Sequence, residues 1–189
     1  MKNKIILSAI FISLGITVNF IGFNVANYII FPLYLDSLLT ISVVAICGFI
    51  PGFICALGSN LLFSIVSESS LLFSICHIST VSCAWIVFSR FNKKNPHKNY
   101  TLDCFLWIGI YAALTNGFLG NTIADFVYAA DTGRPSATIM IQCLYGAISN
   151  LTIANTFGGI LENIADKIFS TLISYAVYII FIKIKQDNK

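Results

Sequence analysis

The sequence predicts an all-α integral membrane protein, a bundle of six transmembrane helices with both termini cytoplasmic. Three observations carry that expectation. Of the 189 residues, 57% are hydrophobic and only 10% charged, and the mean hydropathy of +0.85 lies well above that of a soluble domain. Between Ile5 and Ser89 the only charged side chains are Asp36 and Glu68, an arrangement no water-soluble core of this size supports. Nine of the eleven basic residues fall in three clusters: Lys2 and Lys4; Arg90, Lys93, Lys94 and Lys98; and Lys183, Lys185 and Lys189. Lysine and arginine in short loops stay on the cytoplasmic side, so an even number of crossings separates each cluster from the next, four and then two. Six spans of about 20 residues leave no segment for a soluble catalytic, nucleotide-binding or DNA-binding domain. Residues 1–189 therefore read as a single transmembrane domain, and the net charge of +3 is not a nucleic-acid footprint.

The elements follow from punctuation. Helix one is Ile5 to Phe23; it starts like a secretory signal but lacks a convincing small-x-small cleavage site and the protein continues hydrophobic, so it is expected to be retained. Helix two, Ser37 to Phe49, and helix three, Gly52 to Val66, are short and separated by Gly48-Phe49-Ile50-Pro51-Gly52, where Pro51 is expected to break the helix. Helix four is Leu71 to Ser89 and helix five Leu102 to about Gly120. A span over Ser136 to Thr156 would leave the C-terminal lysines outside, so helix six is set from about Gly159 to Ile184. The mostly apolar connector between helices five and six carries Asp125, the turn Asp131-Thr132-Gly133-Arg134-Pro135, Gln142, Asn150 and Asn155. It is expected to form short helices over the outer mouth of the bundle.

Polar and charged residues near that mouth are costly in lipid, at about 2.5–3.5 kcal/mol for a mid-membrane charge, and should face inward. Glu162 and Asp166 share one helical face, with Asn163 a turn before Asp166 and Lys167 beside it. Helix five offers Asn116 and Asn121, the first connector Tyr28, Phe31, Tyr34 and Asp36, and helix four His77. Of these, Glu162, Asn163, Asp166, Asn116, Asn121, Tyr34, Asp36 and His77 are the candidate substrate-binding residues, in a pocket with aromatic walls and a few directional polar groups suited to a planar, partly polar ligand. Structural roles compete at each position. Asp36 can cap helix two or contact ligand; Lys167 can pair with Asp36 and pin helix six to the connector; the asparagines can join helices by hydrogen bonds. His77 has no second histidine at metal-ligand spacing, His97 lying in the basic loop, and the six cysteines form no Cys-x-x-Cys, so no metal and no cofactor is expected. Trp85 and Trp107 flank the basic loop as interfacial anchors.

Phe31-Pro32-Leu33-Tyr34-Leu35-Asp36-Ser37 leading into a helix, Gly48-Phe49-Ile50-Pro51-Gly52, Gly58-Ser59-Asn60, the Asp131-Thr132-Gly133 turn, and Ala154-Asn155-Thr156-Phe157-Gly158-Gly159 followed by Glu162, Asp166 and Lys167 together resemble the substrate-binding S components of energy-coupling factor (ECF) transporters. The resemblance covers nearly the whole chain and rests on the order and spacing of short motifs. It implies a membrane-embedded, high-affinity binding subunit of an ECF-type ABC importer in a bacterial cytoplasmic membrane, taking up a vitamin or related micronutrient. It also implies partners: a transmembrane coupling protein and two cytoplasmic ATPases, consistent with the lack of a Gly-x-x-x-x-Gly-Lys-Ser/Thr loop here. The family's Ala-x-x-x-Ala docking pattern on helix one is matched by Ala9 to Ser13, where serine stands for the second alanine and keeps the position small. An enzyme is not expected: Gly58-Ser59 lacks a Gly-x-Ser-Gly setting and no Gly-x-Gly-Asp motif exists. The alternatives are a membrane-embedded ligand sensor and a stand-alone small-solute transporter.

Overall fold

The computed structural model describes residues 2–28, 33–67, 71–128 and 135–187. Phe31, Pro32, Glu68, the Asp131-Thr132-Gly133-Arg134 turn and Lys189 lie outside them. The described residues form seven helices: α1 Lys2–Tyr28, α2 Thr40–Cys47, α3 Phe49–Val66, α4 Ser74–Lys94, α5 Leu102–Tyr128, α6 Pro135–Ile148 and α7 Leu151–Asp187. Five of these, α1, α3, α4, α5 and α7, are long and apolar enough to cross a membrane, which makes the chain a multi-pass membrane protein. Its polarity is inverted relative to a soluble domain. Ile10, Ile21, Leu61, Ile65, Phe118 and Ile180 are exposed, while Asn19, Ser59, His77, Asn116, Glu162 and Lys167 are buried. Apolar side chains facing lipid and polar groups facing one another is what the bilayer as solvent selects.

Pairwise packing fixes the direction of each element. Asn19 and Phe23 of α1 meet Ser59 and Phe63 of α3 in register, so α1 and α3 are parallel. Residues 33–47 run back between them, Thr40 lying beside Asn19 and Leu38 beside Gly22. Helix α4 returns along α3, Asn60 meeting His77 and Phe49 meeting Trp85. Helix α5 returns along α4, with Phe105 on Phe88 and Asn116 on Thr80, and α7 runs antiparallel to α5, with Thr156 on Asn121 and Tyr178 on Phe105. The ring closes where Phe11 of α1 meets Phe181 of α7 edge to face, with centroids 5.4 Å apart. The first and last helices therefore have their chain ends at the same end of the bundle. At that end a core of Phe88, Phe105, Tyr178 and the stacked Tyr100 packs under Ile41, Val81 and Ala84.

Several boundaries differ from the sequence expectation. The break between the second and third helices falls at Gly48, not Pro51. Gly48 has φ 98° and ψ −173°, a region essentially restricted to glycine, and Pro51 sits in the first turn of α3, where its missing N–H costs nothing. Helix two shrinks from Ser37–Phe49 to the eight residues of α2. Helix five extends beyond Gly120 to Tyr128, and the last helix starts at Leu151 rather than Gly159, reaching 37 residues. Asp125 and Asn155 thus belong to α5 and α7 and bond to each other, instead of lying in a connector. The described residues of what remains of the connector hold one short helix, α6, which packs along α7.

Candidate functional site

Residues 33–39 are not helical, so their backbone groups lack the partners a helix supplies, and the neighbouring elements provide side chains in their place. Asp166 Oδ1 on α7 accepts from Tyr34 N at 2.9 Å and Leu35 N at 2.6 Å. Asn19 Oδ1 on α1 accepts from Leu39 N at 3.0 Å. Ser174 Oγ on α7 donates to Leu38 O at 2.7 Å and accepts from Ser42 N at 3.3 Å. Irregular backbone at membrane depth persists only when it is satisfied this way. Leu35 has φ 51°, the left-handed region that a branched residue enters only when its surroundings hold it there. Gly22 makes room for it: a Cβ at that position would come within 2.5 Å of Leu35 O.

The same stretch carries the charged cluster. Lys167 Nζ donates to Asp36 Oδ1 at 2.8 Å, Ser37 Oγ at 3.0 Å and Asp166 Oδ2 at 2.8 Å, which uses all three of its ammonium hydrogens. Tyr34 OH donates to Glu162 Oε2 at 2.8 Å. Lys167, Asp166 and Glu162 are buried, and Asp36 is half-buried, with 26% of its side chain exposed. Three carboxylates, an ammonium and a phenol thus join residues 34–37 to one face of α7. The Lys167–Asp36 ion pair expected from the sequence is present. The capping role considered for Asp36 is not: α2 begins after Leu39 with no side-chain cap.

Of the eight candidate binding residues, the fold brings together Tyr34, Asp36, Glu162 and Asp166. The others have different partners. His77 belongs to a second buried network linking α1, the 33–47 stretch, α3 and α4. In it Asn19 Nδ2 donates to Thr40 Oγ1 at 2.9 Å and Ser59 Oγ at 3.1 Å. His77 lies 2.7 Å from Thr40 Oγ1 through Nε2 and 2.8 Å from Asn60 Nδ2 through Nδ1. Asn60 Nδ2 is a donor, since it also bonds Ala56 O; His77 Nδ1 is therefore the acceptor, and the proton sits on Nε2, directed at Thr40. Asn116 bonds Thr80, Asn121 donates to Thr156 O, and Asn163 donates to Gly159 O within its own helix. Tyr28, also considered at the mouth, is 88% exposed. Ala9 and Ser13 are exposed on α1.

Sequence reading missed Asn19 and named Ser37, Ser59 and Asn60 only within motifs or as an element boundary. Asn19 carried a usable signal, being a strong hydrogen-bonding residue within the apolar run Ile16-Thr17-Val18-Asn19-Phe20-Ile21. The six cysteines are free and mostly buried or half-buried, with Cys143 exposed on α6. No family model, no curated protein and no solved structure matches this chain.

Proposed function

We propose that this chain is the substrate-binding S component of an ECF-type importer, crossing the membrane six times with both termini cytoplasmic. It captures a vitamin-like solute at the outer mouth, and a coupling protein with two ATPases supplies the energy. The observation that carries this reading is the segregation of the bundle's two ends. Lys4, Arg90, Lys93, Lys94, Lys98, Lys183 and Lys185 all belong to segments at the end where the chain termini lie, and retention of basic residues makes that end cytoplasmic. The Tyr34–Glu162 and Asp36–Lys167–Asp166 network occupies the opposite half. In this reading residues 33–47 form the sixth crossing, an irregular stretch followed by the short α2, which supplies the return path that the parallel helices α1 and α3 require.

The mouth network favours a ligand site over a purely structural staple because it joins a non-helical stretch, held by side chains, to a rigid helix. A solute that offers donors and acceptors of its own can exchange with Tyr34, Asp36 and Glu162 without unfolding a helix. The exposed pair Ala9 and Ser13, on the cytoplasmic half of α1, leaves a surface where another helix can approach closely.

Co-purification tests this. The tagged chain, expressed with candidate coupling protein and ATPase subunits, is expected to retain them, and Ala9→Leu with Ser13→Leu is expected to release them while the bundle stays folded by size exclusion. Mass spectrometry of the purified complex then identifies the ligand, and Glu162→Gln is expected to lower its retention. Failure to retain any partner under all conditions would overturn the importer reading and leave a ligand sensor or a stand-alone transporter.

A further inference from the structure

A second site lies away from the mouth network, on the lipid-facing side of the bundle. Between α5 and α7 runs a cleft of about 190 Å³, below the size of a typical enclosed small-molecule pocket at roughly 300–1,000 Å³. Its lining is graded along the helices. At the level nearer the membrane centre it is walled by Leu114, Gly117, Phe118 and Ile160; toward the outer end it is walled by Asn121, Thr122, Asp125 and Thr156, with the exposed ring of Phe126 beside them. Gly117 lets α7 come close to α5 at the floor of the lower part, since a Cβ there would meet Ile160 at 3.1 Å. Trp107, exposed near the basic end of α5, stands 18 residues before Asp125, about 27 Å along the helix. That is close to the ~30 Å hydrocarbon thickness, so Asp125 sits at the outer headgroup level when Trp107 sits at the inner interface.

The hydrogen-bond inventory of the outer part decides what it can hold. Thr122 Oγ1 already donates to Phe118 O at 2.8 Å, and Thr156 Oγ1 to Thr152 O at 2.9 Å. One amide hydrogen of Asn121 goes to Thr156 O. Asp125 accepts from Asn155 through Oδ1. The rim therefore presents hydroxyl lone pairs and a carboxylate oxygen, with one remaining amide hydrogen on Asn121 as its side-chain donor. Asp125 is also the one charged group among the lining residues. An acceptor-rich, negatively charged rim above an apolar trough is complementary to a primary ammonium carried on an acyl chain.

We propose that this cleft binds an aminophospholipid of the outer leaflet, with its primary ammonium on Asp125, Thr122 and Thr156 and an acyl chain along Leu114, Phe118 and Ile160. The proposal rests on the membrane orientation given above and not on transport. Partner retention can fail with the cleft intact, and lipid selectivity can fail with the importer intact, so the two are separately refutable. A quaternary choline has no N–H to give these acceptors, and a glycerol headgroup brings net negative charge beside Asp125.

The test is native mass spectrometry of the full chain in a delipidating detergent, titrated with phosphatidylethanolamine, phosphatidylcholine and phosphatidylglycerol of identical acyl chains. Phosphatidylethanolamine is expected to bind at the lowest concentration. Asp125→Asn, which can still accept from Asn155, is expected to raise its half-saturation about tenfold, in line with loss of a charge-assisted hydrogen bond. Leu114→Trp, at an exposed position on the trough, is expected to weaken all three lipids together. Equal binding of phosphatidylethanolamine and phosphatidylglycerol, or wild-type binding by both variants, overturns the proposal. So does a photoreactive group at Phe118 that cross-links to another polypeptide instead of lipid.

Discussion

Lys167 shows how a charge is made tolerable inside a bilayer. Its ammonium has three acceptors in place, and its removal leaves Asp36 and Asp166 facing each other across the gap. Lys167→Met keeps the aliphatic stem and deletes the charge; it is expected to destabilise the bundle by about 3–5 kcal/mol, the cost of stranding a buried partner. Adding Asp36→Asn should recover part of that loss. Denaturant titration in mild detergent reads both, and wild-type stability for the single variant would mean the pair holds nothing together. This pair was legible because a lone charge in lipid must find an opposite one, and the sequence offers few. The second role of Asp166, as acceptor for the amides of residues 34 and 35, was not, because it depends on those amides being outside a helix. His77, Asn116, Asn121 and Asn163 were expected around one pocket and bond in separate places instead. Helices that are apolar on nearly every side carry little information about which face turns inward, so depth could be read from the sequence and azimuth could not.

The turn between α2 and α3 carries the clearest prediction about an element. Among the described residues beyond its chain neighbours, nothing lies within 4 Å of a Cβ built on Gly48, so Gly48→Ala tests backbone conformation without a steric clash, and it is expected to cost about 1–3 kcal/mol. Pro51→Ala, in the first helical turn, is expected to cost less than about 1 kcal/mol. Equal losses of unfolding temperature for the two would assign the turn to the proline after all. Proline was the natural suspect in the sequence because it is the stronger helix breaker in general. Position reverses that ranking here, since a proline three residues into a helix removes no bond, whereas glycine alone supports the reversal before it. The longer α5 and α7 have a related cause. Asn121 with Thr156 and Asp125 with Asn155 continue their antiparallel packing past the expected ends, and such contacts between distant residues leave no local mark in the sequence.

For the whole molecule, the number of passes sets which ends share a compartment. Cys143 is exposed on α6, and in the six-pass reading it faces outward. A membrane-impermeant maleimide applied to intact cells is expected to label Cys143. In a Cys143→Ser background, Lys94→Cys and Lys185→Cys are expected to label only after permeabilisation. Labelling of Lys185→Cys in intact cells while Lys94→Cys stays protected would make the number of crossings odd. The bond between Leu35 and Asp166 joins residues 131 positions apart, and this has a consequence for how the protein is made. The ribosome needs roughly 7–26 seconds to cover that distance, and over that interval the first third of the chain has been delivered to the membrane while the acceptor for its irregular stretch does not yet exist. The early segments must wait beside the insertion machinery or at the wet interface, and a chain arrested before α7 is a substrate for membrane quality control, however well its first helices have inserted.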